Sequence, residues 1–175
     1  MPSTSVTVSE NAARTDPRAG KYLTFALGKE EFAIPVLRVR EIMGVQEITR
    51  VPQTPAHVKG VINLRGKVIP VVDLRLKFGM AEREYTARTC IIVVQTEQDG
   101  AKMLTGVVVD EVSEVLNMQA GDIEDTPEFG RGVATPYLVG MAKIKGKVKI
   151  LLDINLVMSA QDLHGLTRCT DDAIA

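Results

Sequence analysis

The 175-residue chain has no Trp, three Tyr and four Phe, so aromatic side chains make up only 4% of it. Proteins that hold single-stranded nucleic acid stack its bases on aromatic rings in a basic groove, and this composition argues against that class. A field of one sign is missing too. Its 21 basic side chains face 22 acidic ones, for a formal charge of -1, which removes electrostatic steering toward polyanions or anionic lipid. Two cysteines, Cys90 in an apolar run and Cys169 in a polar tail, make no disulfide framework and fit a reducing cytosol. No apolar stretch reaches the roughly 20 residues that span a bilayer, and the N-terminus has neither the basic start nor the apolar segment of a signal peptide. The sequence therefore predicts a soluble, cytoplasmic protein, built as one domain or two small packed lobes large enough to bury a core.

Catalytic patterns are scarce as well. Serines occur only at positions 3, 5, 9, 113 and 159, and none sits in a Gly-x-Ser-x-Gly elbow. Gly60 to Val68 resembles a phosphate-binding loop, but it has one residue too many and lacks the Ser/Thr that would hold magnesium. A tight strand-to-strand turn accounts for it better. His57 and His164 have no His, Cys or carboxylate at ligand spacing, so no metal site is expected. Asp73 and Asp153 read as caps on equivalent turns, with a carboxylate pair as the other reading. Cys90 reads as a small core residue. The expectation is a non-enzyme without metal or cofactor.

What the chain does contain is short β-branched runs. Leu23–Leu27 and Phe32–Val36 flank a Gly-Lys-Glu-Glu turn; Val61–Leu64 and Val68–Val72 flank Arg65-Gly66-Lys67; Cys90–Val94 and Leu104–Val109 flank Gln98-Asp99-Gly100. Each reads as a hairpin, and Val148–Leu152 closes the series. Asp73–Phe78 and Asp153–Val157 read as short helices opened by an Asp cap. Residues 1–20 lack periodic apolar positions and are expected to form a disordered leader, with a folded body over 21–160 and a polar tail over 161–175. Gly and Pro punctuation every 8–15 residues favours an all-β barrel or sandwich.

An internal repeat runs through this body. Gly60-Val-Ile-Asn-Leu-Arg-Gly66 through Asp73-Leu74 aligns with Gly140-Met-Ala-Lys-Ile-Lys-Gly146 through Asp153-Ile154 at an offset of 80. Val39-Arg40-Glu41-Ile42 matches Val112-Ser113-Glu114-Val115 at an offset of 73, and Thr54-Pro55 matches Thr126-Pro127. Two copies of one β unit, split near residues 80–90, are implied. A unit of about 65 residues makes a marginal core alone, so the copies must pack together, leaving a groove between them.

Two charge patterns and one residue complete the reading. Residues 103–130 hold seven acids and no Lys or Arg, while Lys143, Lys145, Lys147 and Lys149 alternate with apolar or Gly residues. On one strand, that alternation puts all four lysines on one face, a solvated face or guarded edge; a nucleic-acid- or nucleotide-binding groove is the competing reading. Arg65 lies at a turn anchored by apolar strands. It can pair with a carboxylate such as Glu41, face a partner, or stand solvated.

The run from Val39-Arg40-Glu41-Ile42 through Thr54-Pro55, Lys59-Gly60-Val61, Asn63-Leu64-Arg65-Gly66 and Ile69–Arg75, with Gly106–Val112 and Pro127-Glu128-Phe129, resembles the CheW family of bacterial chemotaxis coupling proteins. The resemblance covers residues 20–160 and is most specific at Asn-Leu-Arg-Gly. It implies two interlocked five-stranded SH3-like β-barrels and no enzymatic activity. The implied role is an adaptor joining the cytoplasmic tips of methyl-accepting chemoreceptors to the regulatory domain of the histidine kinase CheA. By resemblance, Val39, Glu41, Gly60 and Arg65, with Val112 from the second lobe, contact receptor. Leu23, Ile34 and Leu37 dock on kinase, ordinary core packing being the other reading of these three, and Phe129 belongs to a second contact that closes kinase–coupler rings. A helix laid in a groove needs apolar anchors and an oriented charge, which Val39 and Arg65 can supply.

Overall fold

The computed structural model describes residues 16–125 and 137–158. Most of the expected leader, the whole tail and the loop carrying Phe129 lie outside the described residues. Eleven strands follow one another among those described: β1 (Gly20–Leu27), β2 (Glu30–Pro35), β3 (Val39–Gly44), β4 (Val58–Leu64), β5 (Lys67–Asp73), β6 (Cys90–Gln98), β7 (Ala101–Val109), β8 (Glu111–Met118), β9 (Ile123–Glu124), β10 (Leu138–Ile144) and β11 (Lys147–Leu152). A 3-10 turn, Val36–Arg38, joins β2 to β3. Two four-residue helices, α1 (Leu74–Lys77) and α2 (Ile154–Val157), each open on an aspartate. Asp73 accepts hydrogen bonds from the Arg75 and Leu76 amides, and Asp153 from those of Asn155 and Leu156. These are side-chain N-caps, as the repeat-related positions predict.

The strands form two sheets, in the orders β3-β6-β7-β5-β4 and β8-β1-β2-β11-β10-β9. The first repeat unit supplies β1 to β5 and the second β6 to β11, yet neither sheet consists of one unit. Each unit's opening hairpin has crossed into the other unit's sheet. Thus β6-β7 lies between β3 and β5 of the first unit, with β5 and β7 parallel, and β1-β2 lies between β8 and β11 of the second, with β2 and β11 parallel. Lobe 1 (β3–β7) and lobe 2 (β1, β2, β8–β11) are interlocked by this reciprocal exchange, and the fold is all-β as the sequence implied. Lobe 2 departs from five strands because the two-residue β9 pairs with Met141 and Ala142. In lobe 1 the same place holds a single bridge between Thr49 and Val61.

Three apolar clusters follow from this topology. Ile62, Ile69, Val71, Ile91, Val93 and Val108 fill lobe 1, while Tyr22, Ala33, Met118, Ile123, Ala142 and Leu151 fill lobe 2. The largest cluster lies where the crossed hairpins meet the two helices, and it includes Leu23, Phe25, Ile34, Ile92, Val94, Val107, Leu74 and Ile154. Phe25, Phe32, Phe78 and Tyr137 run through this middle zone as a row with centroid spacings of 5.9, 5.6 and 5.2 Å. Four of the chain's seven aromatic rings are thus spent on joining the lobes. Each fully buried Leu, Ile or Phe side chain contributes about 1.5–3 kcal/mol.

The alternating lysines do not share a strand face. Lys145 and Gly146 occupy the two-residue turn between β10 and β11, with φ of +52° and +77°, so the run folds back on itself. Lys149 is buried on β11 and paired with Glu31 of β2, and Lys143 pairs with Glu124 at 3.1 Å. Period-two alternation across a tight hairpin turn mimics one continuous strand, which is why the sequence alone points to a single lysine face.

Candidate functional site

At the tip of lobe 1, β4 and β5 are joined by Arg65 and Gly66 alone, both left-handed with φ of +50° and +87°. Gly suits this conformation and a non-Gly residue resists it. The Asn63 side chain offsets that cost by accepting a hydrogen bond from the Gly66 amide at 2.8 Å, and the repeat has Lys145-Gly146 in the same shape. The apolar strands therefore hold Arg65 rigidly at a hairpin apex. Its Nη2 donates to Glu41 Oε1 on β3 at 2.8 Å, through one nitrogen rather than both. Arg65 is 75% exposed against 29% for Glu41, so the pair is held by the half-buried carboxylate and displayed by the guanidinium. An exposed pair of this kind contributes about 0–1 kcal/mol to stability, far too little to explain an arginine in a left-handed turn as a stability device.

Beside the pair opens a hollow of about 420 Å³ of mixed lining, in which Leu64 and Leu104 stand among charged and polar side chains. Arg40 stands at its edge, donating to the Gln95 side chain at 2.8 Å and to the Leu37 carbonyl at 3.3 Å.

The other residues singled out from the sequence fall in different places. Val39 is half-buried, pairs with Val94 and packs on the central cluster. Val112 does the same in lobe 2 opposite Phe25, so the two are structural counterparts at separate sites. Gly60 is buried with φ +141°, and a Cβ there would meet the Thr49 backbone, with the carbonyl carbon at 2.7 Å. Its place in the site is to let the Thr49 segment lie against β4. Leu23 and Ile34 are 3% and 0% exposed in the central core. They offer no surface to a partner, which corrects their reading as docking residues in favour of core packing. Leu37 is 85% exposed on the 3-10 turn next to β3.

Sequence reasoning missed the junction between the lobes. Asp110, at the step from β7 to β8, accepts from Arg75 of α1 at 2.6 Å, from Arg83 at 3.3 Å and from the Gly28 amide of the β1–β2 turn at 2.7 Å. Its partners come from both lobes, and the Arg75 pair is largely buried. On the strap between the units, the Tyr85 hydroxyl donates to Asp73 Oδ2 at 3.0 Å; burial, then the carboxylate beside it, push that phenol up. Lys59 donates to Glu82 at 2.7 Å and holds the Glu82 carboxyl below its usual range. In the sequence, Asp110 lies in a run of seven acids and in the Gly106–Val112 stretch of the family resemblance, and neither marks it as a bridge between lobes.

Two interlocked β lobes displaying an arginine beside a hollow of mixed lining define a binding scaffold. The family described as CheW-like domain matches residues 21–162. The chemotaxis protein CheW of Klebsiella aerogenes is 40% identical over 157 residues, spanning 90% of this chain and 91% of that one. The chemotaxis protein CheW of Rhizobium meliloti is 35% identical over 153 residues, spanning 87% and 96%. The crystal structure of the scaffolding protein TtCheW from Thermoanaerobacter tengcongensis superposes with a TM-score of 0.71 at 32% identity, covering 82% of this chain and 95% of that one. The chain belongs to the CheW family of chemotaxis scaffold proteins, and it is a non-catalytic adaptor.

Proposed function

We propose that the chain couples the cytoplasmic tips of methyl-accepting chemoreceptors to the regulatory domain of CheA, working in the cytoplasm by binding both at once. The displayed Glu41–Arg65 pair carries this reading, because a rigidly held, three-quarters-exposed guanidinium beside a hollow of mixed charged and apolar lining suits a helical hairpin better than it suits the fold's own stability. In this reading Val39 and Gly60 shape the receptor site without facing it. Leu37 is the apolar anchor for kinase on lobe 1's flank, Val112, the lobe 2 counterpart of Val39, is the second lobe's receptor contact, and Phe129 is the ring-closing contact.

Titration of the chain against a soluble receptor hairpin and against the CheA regulatory domain, both from the same organism, separates the two surfaces. Arg65→Asp is expected to weaken receptor binding at least about tenfold, as loss of a central charged anchor does, while kinase binding and circular dichroism stay unchanged. Leu37→Asp should do the reverse. Receptor binding undiminished by Arg65→Asp would remove the assignment. Nucleic-acid binding through the Lys143–Lys149 segment has lost its continuous lysine face, with Lys149 buried against Glu31 and Lys143 paired.

A further inference from the structure

The repeat supplies an internal control for the hollow beside Arg65. In the parallel pairings, Val71 lies opposite Gly106 in lobe 1 and Leu151 lies opposite Ala33 in lobe 2. Val71 and Leu151 are repeat counterparts, so Gly106 corresponds to Ala33. Counting back along β7 and β2, Lys102 corresponds to Lys29, Met103 to Glu30 and Leu104 to Glu31. Likewise Ile69 corresponds to Lys149, Lys67 to Lys147, and Arg40 to Ser113. Where β7 of lobe 1 has Met103 and Leu104, β2 of lobe 2 has two glutamates, one of them tied to Lys149. The cations lining the lobe 1 hollow are Arg40, Arg65, Lys67 and Lys102, against one lining carboxylate, Glu41, and against Glu97, which stands opposite Lys102 on β6. Glu41 is taken up by Arg65 and Arg40 is held by Gln95 and the Leu37 carbonyl. Lys67 and Lys102 are exposed, and they come from the two repeat units, brought to one hollow by the crossed hairpin.

We propose that Lys67 and Lys102 form a cationic rim that selects an acidic helix for the hollow of lobe 1, a helix carrying carboxylates beside an apolar residue that enters over Leu64 and Leu104. This rests on the receptor reading of the same site and adds to it the chemistry of the partner and two residues that recognise it. Charge complementarity around the apolar Leu64 and Leu104 commits the site to an acidic amphipathic helix, and the glutamates at the matching place in lobe 2 would repel one.

The test is titration of the full chain with the soluble receptor hairpin at about 50 mM and about 500 mM salt, where the screening length falls from roughly 14 Å to roughly 4 Å. The double reversal Lys67→Glu/Lys102→Glu is expected to lower affinity about tenfold or more at low salt, with a much smaller difference at high salt, and to leave kinase-domain binding unchanged. The counterpart reversal Lys29→Glu/Lys147→Glu should keep wild-type receptor affinity. Lys67→Gln/Lys102→Gln gives a smaller loss in the same direction and guards against misfolding of the reversal. Wild-type affinity in the double reversal, alongside weakened binding by Arg65→Asp, overturns the rim and leaves the receptor site standing. A loss equal at both salt concentrations also overturns it, since packing rather than charge would then be at work. A wild-type chain that does not bind the hairpin overturns the receptor reading and the rim together.

Discussion

At position 60 a side chain has no room. The ideal Cβ falls well inside contact distance of the Thr49 carbonyl oxygen and 2.7 Å from its carbon, on a backbone already at φ +141°. Thr49 cannot retreat without breaking the two 2.8 Å hydrogen bonds it exchanges with Val61. Gly60→Ala should therefore destabilise the fold by about 2–4 kcal/mol, adding backbone strain to overpacking, read as a lowered urea midpoint. Gly66→Ala meets no atom within 4 Å, so strain alone limits its cost to about 1 kcal/mol. If both glycines gave equal losses, the close approach to Thr49 would not be what fixes Gly60. Gly140 faces Glu124 in the same way, so the repeat preserves a packing requirement along with a sequence.

Among the elements, β2 and β11 hold the clearest test of how the lobes diverged. Lys149 is buried in lobe 2 against Glu31 where lobe 1 has Ile69 and Leu104. Lys149→Ile alone strands a carboxylate whose side chain keeps a quarter of its exposure, and should cost about 2 kcal/mol, below the range for wholly buried pairs. Adding Glu31→Leu rebuilds the lobe 1 arrangement and should recover most of that loss. Denaturant unfolding of the two single variants and the double one closes the cycle, and simple additivity would mean the ions do not act as a pair.

The same elements show what was legible in the sequence. Hairpins with Gly turns and Asp-capped helices were readable because their chemistry is local: Asp73 caps the residues that follow it, and Gly66 supplies the left-handed residue that a two-residue turn needs. Strands β3 and β8 were not, because as edge strands they bury little and even expose Ile42 and Val115, which blurs the period of two. Leu23 and Ile34 carried no mark separating core from interface, since strand patterning gives only the face and here both faces are covered. Arg65 stood out as an apolar-flanked cation at a turn; Lys67 and Lys102 did not, because only the crossing of the hairpins brings them together.

On the scale of the whole molecule, the lobes are joined by the central core, the aromatic row and the Asp110 junction. Asp110→Asn removes the charge that Arg75 and Arg83 share while preserving shape. It should lower stability by about 1–3 kcal/mol and speed hydrogen exchange at the Gly28 amide, which Asp110 holds. An unchanged Gly28 rate would mean the junction does not tie the β1–β2 turn to lobe 1. Residues 81–88 form the exposed strap between the repeat units, and a single proteolytic cut there should leave two fragments that stay together under native conditions. Neither fragment alone holds a complete sheet, so each expressed singly should lack the circular dichroism of the folded pair.

The exchanged hairpins also govern how variation is inherited. Consider a recombination between two homologues that crosses over in the strap. It joins one parent's first unit to the other's second, and because every sheet draws on both units, neither lobe of the progeny is parental. β1-β2 meets a foreign β8 and β11, while β6-β7 meets a foreign β3 and β5. The obvious seam in the gene is thus the worst place to splice the protein. Compatible blocks are discontinuous, with residues 20–35 travelling with 111–152 and 39–73 travelling with 90–109.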